Sequence, residues 1–152
     1  MPRPMTHRWG KRFDPRMAPT LLGEDTINKL LTPLHISATL LPLGLFSREH
    51  ADRACKIINL VAADSASKGN GLWQVADKAA TTILAMKHRA DNGEPWGASE
   101  DERQVLIEAI VKMDRYIRTW TNRRFMTAAV TVDTINAKAE AEGGKFMDRV
   151  EI

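Results

Sequence analysis

The sequence predicts an all-α protein, an antiparallel helical bundle with a long C-terminal helix and a flexible, basic N-terminal arm. Three observations carry this. Apolar residues recur at i, i+3, i+4 and i+7 through most of the chain after Glu24. The segments are joined by short Gly-bearing connections, Gly69-Asn70-Gly71 and Asn92-Gly93, and short connections favour antiparallel neighbours. Helix-start chemistry precedes the segments. It is strongest at Ser99-Glu100-Asp101-Glu102, where a serine and a glutamate three residues on can each satisfy the other's backbone amide.

Residues 1–23 read as the arm. Pro2, Pro4, Pro15 and Pro19 each remove a backbone donor and fix φ, which disfavours regular structure. Trp9 and Phe13 sit among the bases there, available to pack back or to meet a partner. Residues 24–144 read as the bundle. Asp25 or Thr26 can cap a first helix carrying Ile27, Leu30, Leu31 and Leu34. Pro33 is expected to end or kink it near Thr32, or to open a second short helix over Leu34 to Leu41.

Ser47 caps the next helix, whose apolar face is Ala51, Ala54, Cys55, Ile58, Val61 and Ala62. Asp52, Arg53, Lys56, Asn59 and Asp64 are expected to lie mostly off that face. Glycine at 69 and 71 suits its C-terminus, because glycine readily takes the left-handed conformation. A third helix carries Leu72, Val75, Ala76, Ala79, Ile83, Met86 and Ala90, and Trp96 in the following loop reads as a hydrophobic plug. From Ser99 the stripe runs Leu106, Ala109, Ile110, Met113, Ile117, Trp120, then resumes as Ala128, Val132, Ile135, Ala139. Thr121-Asn122-Arg123-Arg124 interrupts it, so either one helix of roughly 60 Å (1.5 Å per residue) continues to Gly143-Gly144, or the chain breaks near Asn122. An overhanging long helix would need cover, and a homodimer would supply it. Residues 145–152 read as a tail.

The size suits one domain with its own core. The only cysteine, Cys55, cannot pair within the chain, which points to a reduced, cytoplasmic setting. No apolar run follows the basic N-terminus as a signal peptide would require. The most apolar stretch, Leu34 to Phe46, is interrupted by His35, Pro42 and Gly44 and falls short of the roughly 20 residues of a membrane span. The net charge of +3 is unevenly distributed. Residues 1–16 hold five bases and one acid, and residues 112–124 likewise, so the remainder of the chain is acidic. Segregated basic charge suits an acidic partner or nucleic acid.

The motifs of common chemistries are missing. His7, His35, His50 and His88 have no metal-ligand spacing, and no metal or cofactor is expected. There is no G-x-S-x-G elbow and no phosphate-binding glycine loop. Cys55 lies on an apolar face and reads as core. The expectation is therefore a non-enzyme. The candidate partner-binding residues are Lys112, Arg115, Tyr116, Arg118, Arg123 and Arg124, with Arg8, Lys11 and Arg12 of the arm. Tyr and Arg often anchor protein interfaces. The same bases could neutralise phosphates while Tyr116, Trp120 or Phe125 stacks on bases. Trp120 and Ile117, however, fall on the core stripe.

From Ser47 onward the chain resembles a group of small helical proteins of proteobacterial phages and plasmids, some labelled Fis-family regulators. The resemblance lies in an order of parts: Ala51-Asp-Arg-Ala-Cys-Lys-Ile-Ile-Asn, Ala76-Asp-Lys-Ala-Ala-Thr-Thr-Ile-Leu-Ala, Gly93-Glu-Pro-Trp, then Glu102 to Ile117. It implies a mobile-element accessory protein and carries over no site residue. The expected function is binding and modulation of another protein with an acidic surface. The alternative is a nucleic-acid-binding regulator using 112–124 and the arm.

Overall fold

The computed structural model describes residues 20–142. Five helices follow one another: α1 (Glu24–Leu40), α2 (Arg48–Lys68), α3 (Leu72–Asp91), α4 (Glu100–Ile117) and α5 (Asn122–Ala141). They pack as an all-helical bundle in which α2 touches each of the other four. Among the described residues there is no strand beyond one isolated bridge, and no helix is long and apolar enough to cross a membrane. The expected basic arm, with Arg8, Lys11 and Arg12, lies outside the described residues apart from its last four positions. The tail 145–152 also lies outside them.

Helix α1 runs unbroken through Pro33, contrary to the expected break near Thr32. Leu30, Leu31, Leu34 and Ser37 form one buried stripe on both sides of the proline. Burying a leucine contributes about 2 kcal/mol, so the three leucines of the stripe outweigh one lost helical hydrogen bond. The Ser37 hydroxyl also donates to the Pro33 carbonyl at 2.9 Å.

Helix α2 starts and stops where the sequence places it. Ser47 is the N-cap, and its backbone N–H donates to His50 Nδ1 at 3.1 Å, so a histidine plays the part usually taken by glutamate. Gly69 closes the helix at φ 70, a conformation that would strain any residue with a side chain. The predicted apolar face is buried. Asn59 and Asp64, expected off that face, are buried with it. Asp64 falls seven residues after Ile57 and three after Val61, which returns it to the same side of the helix.

The principal correction concerns the long C-terminal helix. The chain breaks at residues 118–121, the second of the two expected arrangements. Helix α4 ends after Ile117, and Trp120 turns inward to complete burial at the corner. The Thr121 hydroxyl then caps α5 by accepting the Arg124 amide at 3.1 Å. The segment entering α1 clamps this corner: Leu22 N–H donates to the Trp120 carbonyl, and Asn122 N–H to the Thr20 carbonyl. Leu22 is buried in the process, so the last residues of the predicted arm belong to the bundle. Helix α5 folds back against α2 and does not extend α4. This removes the overhanging end on which the expectation of a homodimer rested.

Trp96 fulfils its role as a plug. It meets Phe46 edge-on at 6.1 Å between centroids, and Arg48 lies over its ring at 5.9 Å.

Candidate protein interface at the α4–α5 corner

The corner divides the predicted basic cluster into two groups. Arg124 and Tyr116 turn inward. Tyr116 Oη donates to Asp64 Oδ2 at 2.5 Å, and it accepts from Asn70 Nδ2 and Arg124 Nη2, both at 3.0 Å. Arg124 Nη2 reaches Asp64 Oδ2 at 2.6 Å, and its Nε reaches Oδ1 at 3.3 Å. The guanidinium also lies 5.2 Å from the Tyr116 ring centroid. Asn70 is held in turn by the Ser65 hydroxyl and by the Leu72 amide.

The network joins the end of α2, the start of α3, the end of α4 and the start of α5. Asp64 is only 5% exposed, so its charge depends on these partners. Burial and the Asp64 carboxylate raise the Tyr116 hydroxyl above its usual pKa range, and the hydrogen bond from Arg124 to Asp64 raises the Arg124 guanidinium further. Every polar atom of the Tyr116 hydroxyl is used internally. Its role is to fix the corner.

Arg118 makes a different arrangement. Its Nε donates to Asp114 Oδ1 at 2.6 Å, while His35 Nε2 of α1 lies 2.6 Å from Asp114 Oδ2. Partial burial pushes the Asp114 carboxyl up, and the bonds from Arg118 and His35 outweigh it, leaving the pKa below the usual range.

Lys112, Arg115 and Arg123 are exposed and make no ion pair among the described residues. Lys112 and Arg115 share the outer face of α4 with Val111, which is 47% exposed. Arg123 heads the outer stripe of α5, followed at helical spacing by Met126 (60% exposed) and Val130 (59%). Such mixed basic and apolar surface can take an acidic protein face: the bases orient it and the apolar groups supply contact area.

The aromatics of the corner are turned inward, while Trp73 at the start of α3 stays 38% exposed. Trp120 is fully buried and stacks on Phe125 at 6.4 Å, and Phe125 packs against the core. Among the described residues no group of three His, Cys, Asp or Glu is placed to hold a metal. Cys55 is buried in α2, and burial, with Asp52 adding to it, pushes its thiol up to about 12, which leaves it protonated and unreactive.

Sequence reasoning missed Asp64 and Asn70 as members of the corner. The available signal was an acid recurring on the Ile57–Val61 side of an apolar helix, since a buried carboxylate requires a cation elsewhere in the chain. Comparison of the chain with family models, with curated proteins and with solved structures finds no match to any of them.

Proposed function

We propose that this is a non-catalytic helical accessory protein that binds the acidic surface of another protein through the outer faces of α4 and α5. The observation that carries the reading is that Lys112, Arg115 and Arg123 have no acidic partner among the described residues, while Val111, Met126 and Val130 beside them remain exposed. The withdrawal of Tyr116 and Trp120 into the fold favours a protein over a single-stranded nucleic acid, which would use those rings for stacking. A phage or plasmid setting follows from the order of parts from Ser47 onward and from nothing in the site.

The test is quantitative affinity capture from a proteobacterial host lysate, comparing wild type with Lys112→Glu/Arg115→Glu/Arg123→Glu. The reading predicts a protein captured by the wild type and lost by the variant. A salt-titrated gel shift on the same pair separates the alternative. Binding to DNA or RNA that weakens steeply with salt and disappears in the variant would replace the protein-binding reading with a nucleic-acid one.

A further inference from the structure

Helices α2 and α5 enclose a cleft of about 410 Å³. Its α2 wall is Ala62, Ala63 and Ala66, running out to the exposed Ser67, and its α5 wall is Thr131, Val132 and Ile135. The residue types explain why the space is open. Alanine extends one carbon from its backbone, and the β-branched side chains opposite are stiff at χ1, so neither wall reaches across. Ala128 is the one fully buried residue of α5, while Val132 and Ile135 stay half-buried. Apolar contacts between helices are ordinarily filled to near-crystalline density.

Asn59 forms the buried end of the cleft. It is 4% exposed, and its Oδ1 has no hydrogen-bond partner among the described residues. A buried acceptor without a donor is costly and uncommon. The χ2 torsion of asparagine is broad, so a small rotation turns this oxygen into the cleft. The nearby polar groups do not supply a donor. The Thr131 hydroxyl is spent on the Thr127 carbonyl at 2.8 Å, and Asp64, beside Ala63 in the chain, belongs to the corner network. Among the described residues no ionisable side chain lines the cleft; Lys68 and Asp133, next to it in sequence, are exposed and outside the lining.

We propose that this cleft binds a small neutral apolar molecule carrying one hydroxyl, which donates to Asn59 Oδ1 while the hydrocarbon part lies between the alanines of α2 and Val132 and Ile135 of α5. The volume falls in the range of small-molecule sites, roughly 300–1,000 Å³. A charged ligand would find no counter-charge in the lining, and a pure hydrocarbon would leave the Asn59 oxygen without a donor. The site is separate from Lys112, Arg115 and Arg123 and does not depend on the acidic-partner reading.

The experiment is an amide-resolved NMR titration of the full chain with n-octanol. Heptyl methyl ether, its isomer without the hydroxyl, and octanoate are the comparison probes. The expected result is saturable shifts at Asn59, Ala62, Ala63, Val132 and Ile135 with n-octanol, about tenfold weaker binding of the ether, and none of octanoate. Asn59→Leu should erase the preference for the alcohol over the ether while keeping the thermal midpoint at or above that of wild type, because it removes an unpaired acceptor. Ala66→Phe, at an exposed position on the cleft wall, should abolish binding of both probes without unfolding the chain. Equal affinities for alcohol and ether in wild type, or an alcohol preference that survives Asn59→Leu, would overturn the role of Asn59. Absent or non-saturable shifts, shifts centred elsewhere, or binding unchanged in Ala66→Phe would overturn the site itself. The same holds if the cleft residues shift on concentrating the protein alone, which would give this face to a second copy.

Discussion

Replacing Arg124 by alanine should destabilise the protein more than any other single change among the basic residues of the corner. The substitution leaves Asp64, 5% exposed, with the Tyr116 hydroxyl as its remaining hydrogen-bond donor in the network. Removing one partner of a buried ion pair costs about 3–5 kcal/mol, because the other charge is left uncompensated. Arg124 is itself 24% exposed, so water can enter its place and the lower end, about 3 kcal/mol, applies. Asp64→Ala should cost less, about 1–2 kcal/mol, because the stranded guanidinium can reach solvent. The double variant should lose less than the two together, with a coupling of about 1–3 kcal/mol. Urea denaturation at pH 7 followed by far-ultraviolet circular dichroism measures all three. An Arg124→Ala loss below about 1 kcal/mol, or strictly additive single changes, would refute the argument that this pair fixes the corner.

Three further outcomes follow from other parts of the fold. Ser99→Ala removes the hydroxyl that accepts the Glu102 amide and should cost about 1 kcal/mol in the same urea assay. Cys55 should resist a thiol-specific aromatic disulfide in native protein and react fully in denaturant, since its thiol is buried and pushed up to about 12. Glu102 is held below the usual carboxyl range by its hydrogen bond from Arg89, and Asp114 by Arg118 and His35 against the opposing effect of partial burial. A depressed folded pKa adds stability above the unfolded value and loses it as pH falls through the folded one. The urea midpoint should therefore hold from neutrality to about pH 5 and decline below about pH 4. Glu102→Gln should flatten that decline.

The helices were legible wherever local chemistry and periodicity agreed. Ser47, Gly69 and Ser99 set boundaries through caps that act within a few residues, so the sequence displays them directly. Two features depended on distant contacts and were not legible. Pro33 carries a strong local signal for a break, but the stripe of Leu30, Leu31, Leu34 and Ser37 is buried against the rest of the bundle. The break after Ile117 was one of two readings, because the chain around Thr121 allows both. The deciding contacts come from Leu22 and Asp64, about 100 and 60 residues away in the chain. The same contacts divide the basic cluster. Periodicity placed Ile117 and Trp120 inside but gave no means of separating Arg124 from Arg123, which are neighbours in sequence and opposite in role. The element around which the bundle is built is α2, whose central position is a property of packing and has no sequence mark.

The central claim is that Arg124 and Tyr116 hold the fold while Lys112, Arg115 and Arg123 face a partner. Its most direct test compares the captured proteins and the urea midpoints of two variants, Lys112→Glu/Arg115→Glu/Arg123→Glu and Arg124→Ala. The account predicts that the triple variant stays within about 0.5 kcal/mol of wild type per site and loses its captured protein. It predicts that Arg124→Ala loses about 3 kcal/mol yet, at temperatures where it remains folded, still captures that protein. Unchanged capture by the triple variant, with Arg124→Ala as stable as wild type, would contradict it.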